Sequence, residues 1–197
     1  MSALGYRPEV DGLRAVAVLP VILFHAGFAG VPGGFVGVDI FFVISGFLIT
    51  SLIVQEQAAG AFSIAGFYER RVRRIAPALL LVLATFLVLS IFALAPSDRE
   101  NLGKTTLYAL ASISNVYFTF ALNYFERGAD AQPLLHTWSL TAEEQFYVFF
   151  PMVLLVLMRA PRRVVWPVLA AVLLASFGLG VRWSHSRPEA AFYLLPT

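Results

Sequence analysis

The chain has 197 residues, 59% of them hydrophobic and 13% charged, with a mean hydropathy of +0.78. Soluble domains run near 45–50% apolar and about 25% charged, so an ordinary water-soluble globule does not fit. Aromatics at 14%, with 18 Phe, exclude a disordered chain, and the lack of cysteine removes disulfides, thiolate nucleophiles and Cys-ligated metal sites together. Net charge is only +2, but most of the 14 basic residues lie in short clusters beside apolar runs. That arrangement belongs to membrane proteins, not to nucleic-acid binders.

A spanning helix needs about 20 mostly apolar residues to cross a core of about 30 Å. In chain order the candidates are Ala15 to Phe28, Phe35 to Val54, Ala78 to Ala95, a segment from Leu140 or Phe146 to Met158, and Val164 to Val181. A weaker Ser/Thr/Asn-containing candidate covers Thr105 to Phe125. The expected fold class is therefore all-α, a polytopic transmembrane helical bundle with about 5–6 membrane segments.

Lys and Arg concentrate on the cytoplasmic side of a membrane. Arg70, Arg71, Arg73 and Arg74 fall between the second and third spans, so that loop is expected to be cytoplasmic. The uncharged turn from Ala29 to Gly34 suits an external hairpin, which puts the N-terminus in the cytoplasm as well. If Thr105 to Phe125 crosses fully, Arg159, Arg162 and Arg163 land outside. If it is re-entrant or interfacial, the arrangement we favour, they return to the cytoplasm. The flank of Ala15 to Phe28, with Arg7, Glu9, Asp11 and Arg14, is charge-balanced and a second span follows closely, which argues against a cleaved signal peptide. No repeat, linker or low-complexity tract is present, and the end at Leu194 to Thr197 has neither a basic stop nor a polar tail, as expected of a cut chain.

Ionisable groups within spans are costly, so those that persist are functional candidates. Arg14 and His25 are eleven residues apart, which returns them to within about 20° on one helix face, about 16 Å apart along its axis. Imidazole is the side chain best suited to accept and return a proton near neutral pH; the plainer reading is a snorkelling Arg beside a structural histidine bonded to a carbonyl. Asp39 would enter the same outer half through a short hairpin, in contact with His25, either orienting the ring or merely tying two helices together. Glycines 33, 34 and 37 permit close helix approach or tight turns.

On a helix Arg71 and Arg74 share a face at i, i+3, and a guanidinium fork suits the phosphates of an anionic cofactor. A juxtamembrane arginine cluster also serves as a topology signal or headgroup contact. In His136 to Tyr147, Ser139 or Thr141 could cap a helix with acids in its first turn. Glu143 and Tyr147 lie at i, i+4, and the acid pair Glu143–Glu144 could bind a sugar or position a reacting hydroxyl. Other signatures fail: Gly103-Lys104-Thr105 lacks the earlier P-loop glycine, which is Asp98. Ser45 lacks the preceding glycine of a nucleophile elbow. Neither His25 nor His136 has the aspartate five positions on that marks soluble-faced glycerolipid acyltransferases, and His25, His136 and His185 show no metal-ligand spacing.

The ordered segments Tyr6 to Ala15, His25, Gly33 to Ile49, Phe67 to Pro77, and Trp138-Ser139-Leu140 with Glu143 to Tyr147 resemble the acyltransferase-3 family of integral membrane O-acyltransferases. The set is most similar to the bacterial branch that O-acetylates lipopolysaccharide O-antigen and related envelope glycans. The resemblance implies a catalytic Arg14/His25 pair with Asp39 in the Gly-Val-Asp segment, an Arg71/Arg74 motif engaging acyl-coenzyme A from the cytoplasm, and an acidic-pair motif at Glu143 and Glu144. It implies that residues 1–197 are the N-terminal part of a single membrane-embedded domain, lacking its C-terminal remainder and any SGNH hydrolase-like domain.

The expected activity is transfer of an acyl group, most simply acetyl, from acetyl-coenzyme A to a hydroxyl of an envelope glycan or lipid-linked saccharide. His25 would be general base or acyl carrier and Asp39 its orienter. Arg14, Arg71 and Arg74 would neutralise coenzyme A phosphates, and Glu143, with Glu144 and Tyr147, would position the acceptor. No metal or nucleic acid is expected, and the location implied is the bacterial cytoplasmic membrane, among its lipids. A transporter or proton relay using Arg14, His25 and Asp39 is the rival from another class, and an assembly module whose polar residues only lock helices is a third.

Overall fold

The computed structural model describes residues 8–121 and 132–194, and within them every regular element is helical. Tyr6, Arg7, residues 122–125 and Leu195 to Thr197, which entered the sequence reading, lie outside this range. Four helical segments are long and apolar enough to cross a membrane: Gly34–Ala58, Ile64–Ala93, Thr137–Arg159 and Arg162–Ser186. The all-helical membrane fold expected from composition is thus the one found.

The chain divides into two compact units, Met1–Ser63 and Ile64–Thr197. In the first, α1 (Pro8–His25) and α2 (Gly37–Ala58) are joined by a turn and a short 3-10 segment, Gly34–Val36. The first candidate span therefore starts earlier and ends sooner than the apolar run alone indicates, because Glu9 and Asp11 favour a helix start. The two helices run antiparallel, with Val10, Ala17 and Ile44 in one buried cluster. Glycine makes the approach: a Cβ on Gly34 would sit 2.1 Å from the Pro20 carbonyl oxygen, and one on Gly37 would sit 2.0 Å from that of Ala17. Gly33, by contrast, has open space around it.

The second unit holds α3 (Ile64–Ala93), α4 (Pro96–Leu110), α5 (Ser114–Ala121), α6 (Thr137–Arg159), α7 (Arg162–Ser186) and α8 (Pro188–Leu194). Arg70 to Arg74 are not in a loop, as the sequence reading had them, but in the first turns of α3. Glu and Arg are good helix formers, so nothing between Phe67 and Ala76 stops the helix. At 30 residues α3 is about 45 Å long, more than the apolar core requires.

Contacts fix the directions of these helices. Leu83 and Leu134 share a cluster, Phe86 meets His136, Arg71 meets Tyr147, and Tyr68 meets the Val148 carbonyl. Positions ascend on α3 as they descend towards and along α6, so α3 and α6 are antiparallel. The candidate span 105–125 is broken: α4 ends at Leu110 and α5 begins at Ser114, and their 15 and 8 residues are each too short to cross alone. Leu102 and Ala109 of α4 pack on Leu79, Leu83 and Phe86, so α4 folds back along α3 and the chain reverses after it. This leaves the start of α3 and the end of α6 at one end of the unit.

Candidate functional site

In the first unit Arg14 and His25 both lie on α1, with His25 its last residue. The Arg14 side chain is largely buried, reaches Asp11 with an Nη1 to Oδ1 distance of 3.5 Å, and has a buried Nε without a hydrogen-bond partner. The His25 Nδ1–H donates to the Val21 carbonyl at 2.8 Å, and Phe24 packs edge-on against the ring. That bond places the neutral ring's proton on Nδ1 and leaves the Nε2 lone pair as the basic site. Asp39 sits in the first turn of α2, where a carboxylate complements the helix dipole. Among the described residues no hydrogen bond or ion pair joins it to His25.

The second unit contains a cavity of about 250 Å³. Val72, Ile75, Leu79 and Leu110 give it an apolar wall, and Arg71, Ser112, Glu144 and Tyr147 give it a polar one. The Arg71 guanidinium carbon lies 5.4 Å from the ring centres of both Phe67 and Tyr147. Two ring faces thus hold the cation. No ion pair to a carboxylate is made by Arg71 among the described residues, and its Nε is buried without a hydrogen-bond partner. Arg74, although on the predicted common face, is exposed and does not line the cavity; Arg73 pairs instead with Glu69 at 2.7 Å. The difference between the two motif arginines arises because Tyr147 of α6 covers only the Arg71 position.

The acidic pair also splits. Glu143 accepts a hydrogen bond from the Tyr147 hydroxyl, which realises their i, i+4 spacing. Glu144 lines the cavity, has the Ser112 side chain as its hydrogen-bond neighbour, and keeps Oε2 buried without a partner. A cavity lined by a guanidinium on one helix and a carboxylate on another suits a ligand that is anionic at one point and hydroxylated at another. Neither Ser139 nor Thr141 caps α6. Both lie inside the helix and bond back to the His136 and Trp138 carbonyls.

A neutral polar web supports this wall and was not singled out from sequence. Thr137 donates to Ser114, which bonds Thr141 at 3.1 Å, and Asn115 and Gln145 exchange two amide hydrogen bonds of 3.2 and 2.9 Å. Gln145 Nε2 also donates to the Ser112 carbonyl at 2.8 Å. The available signal was the Ser/Thr/Asn content of 105–125, read only as a weakness in a span. Tyr68, within the Phe67 to Pro77 segment, also lines the cavity, and its hydroxyl donates to the Val148 carbonyl at 2.7 Å.

A family model described as an acyltransferase domain matches residues 7–197. The peptidoglycan O-acetyltransferase OatA of Listeria monocytogenes is 40% identical over 156 residues, covering 78% of this chain and 25% of that protein. The O-acetyltransferase OatA of Staphylococcus aureus is 38% identical over 178 residues, covering 88% of this chain and 29% of that protein. The chain spans about a quarter of the length of the first of these relatives. No solved structure matches it at a significant level.

Proposed function

The chain belongs to the acyltransferase-3 family of membrane O-acyltransferases, and on that premise we propose that it takes part in moving an acetyl group from acetyl-coenzyme A to a hydroxyl of a cell-envelope glycan. The observation that carries this reading is Arg71: a largely buried cation with no carboxylate partner among the described residues, on the wall of a cavity that also presents Glu144. Buried cations need compensating charge, and a phosphorylated donor brings it. Arg74, exposed one turn on, would meet the outer phosphates of the same donor.

His25 would supply the base. With Nδ1–H held by Val21, Nε2 takes the proton of the acceptor hydroxyl as its oxygen attacks the thioester carbonyl carbon. The C–S bond breaks, the ester forms, and the proton passes from His25 to the departing thiolate. Arg14 keeps positive charge on the same helix, Asp39 sets the field at the start of α2, and Glu143, Glu144 and Tyr147 orient the acceptor. The end of the second unit that carries Arg70 to Arg74, Arg159, Arg162 and Arg163 would face the cytoplasm, where acetyl-coenzyme A is made.

The test is mass spectrometry of envelope glycans from cells expressing the protein, wild type beside His25→Ala and Arg71→Ala, at matched membrane levels. An acetyl increment present with wild type and lost in both variants supports the reading. An increment undiminished in His25→Ala removes the proposed base, and an unmodified glycan alongside solute uptake would mean transport.

A further inference from the structure

α4 closes with the paired hydrogen bonds of a Schellman motif: Ile113 N–H donates to the Tyr108 carbonyl at 3.0 Å and Ser112 N–H to that of Ala109 at 3.1 Å. The residue between them must adopt the left-handed conformation, and glycine ordinarily stands there because it has no Cβ to clash. Here the position is Ser112, at φ 56°, the one non-glycine residue with positive φ among the described residues. A glycine would make the turn with less strain and would lack only the hydroxymethyl group. Ser112 lines the same cavity as Arg71 and Glu144, and its side chain is within hydrogen-bonding reach of the Glu144 carboxylate. The turn is fixed from the other side by Gln145, which holds the Ser112 carbonyl at 2.8 Å and is itself locked to Asn115. Strain retained against an easier alternative, at a cavity, points to use.

We infer that Ser112 is a positioning residue, whose hydroxyl anchors the Glu144 carboxylate on the wall of the cavity that a substrate would enter. This rests on the reading of that cavity as a substrate site. Gln145 acts one step further out, by holding the backbone that presents the hydroxyl.

The experiment compares Ser112→Gly, Ser112→Ala, Ser112→Asn, Glu144→Ala and the double variant Ser112→Gly/Glu144→Ala in membranes, reading acetyl-coenzyme A-dependent O-acetylation of envelope glycan and thermal stability in detergent. Ser112→Gly should unfold at the wild-type temperature or above it, since glycine suits the turn, yet lose at least tenfold in acetylation. Asparagine tolerates the left-handed region and carries a side-chain donor, so Ser112→Asn should recover most of the loss. The double variant should be no worse than Glu144→Ala alone. A purely structural serine predicts the opposite: full activity in Ser112→Gly overturns the inference, as do losses that add in the double variant. If Glu144→Ala itself acetylates normally, the cavity reading fails and the inference with it; if Glu144→Ala is inactive while Ser112→Gly is active, only the inference fails.

Discussion

The Arg71 guanidinium lies over the Tyr147 ring, 5.4 Å from its centre, so α3 and α6 meet at a cation set on an aromatic face, with no carboxylate in ion-pair contact among the described residues. An ion pair would neutralise the arginine permanently. A ring face steadies it and leaves its charge for a ligand.

Arg71 and Arg74 should therefore separate in kinetics. A charge-assisted hydrogen bond to a buried group is worth about 1.5–3 kcal/mol, so Arg71→Ala should raise the KM for acetyl-coenzyme A by roughly 10- to 150-fold. Arg71→Lys should rescue it poorly, because an ammonium loses the planar fork and the stacking. Exposed Arg74 should cost at most about 1 kcal/mol, or roughly fivefold. Equal effects at the two positions in a donor titration would contradict the asymmetric burial.

Tyr147 should act through its ring more than its hydroxyl. Tyr147→Phe keeps the face under Arg71 and loses only the bond to Glu143, so the donor KM should stay within about threefold of wild type. Tyr147→Leu removes the face and should weaken donor binding by about tenfold. A phenylalanine variant as impaired as the leucine one would shift the weight to the Tyr147–Glu143 hydrogen bond.

Much of this was legible in the sequence, for physical reasons that differ by position. The spans through Phe41, Leu83, Val153 and Leu173 could be read because uninterrupted apolar runs have few alternatives to a membrane helix. The close approach at Gly34 and Gly37 followed from the same logic, since small residues at a hairpin invite contact. The turn at Ser112 could not be read, because its geometry normally announces itself by a glycine and here a serine stands in its place. Nor could the different fates of Arg71 and Arg74: both fit one helix face, and only the placement of Tyr147 on another helix separates them. The His25–Asp39 contact was inferred from hairpin proximity alone, whereas the histidine is satisfied within its own helix by Val21.

The α1–α2 contact gives a sharper test of packing. Gly37→Ala would push a methyl against the Ala17 carbonyl, a backbone atom with no rotamer to yield, and Gly34→Ala would do the same at Pro20. Overpacking of this kind costs about 1–3 kcal/mol or more. Both variants should show reduced membrane levels and lower detergent melting temperatures. Gly33→Ala, with open space at its Cβ, should behave as wild type, and equal melting temperatures across the three would refute the close crossing.

Sidedness of the second unit can be settled by labelling, and the absence of native cysteine makes every introduced thiol unique. Glu69 precedes the apolar part of α3 and Asp98 follows it, so Glu69→Cys and Asp98→Cys must report opposite sides. With α4 and α5 turning back short of a crossing, α6 would return the chain to the side of Glu69, and α7 would take it away again. A membrane-impermeant maleimide should therefore label Arg162→Cys together with Glu69→Cys, and Ser186→Cys together with Asp98→Cys. Had 105–125 formed a complete span, the pairs would be exchanged, with Arg162→Cys labelled alongside Asp98→Cys. That outcome would also place Arg159, Arg162 and Arg163 on the side opposite Arg70 to Arg74, against the charge bias that orients membrane helices.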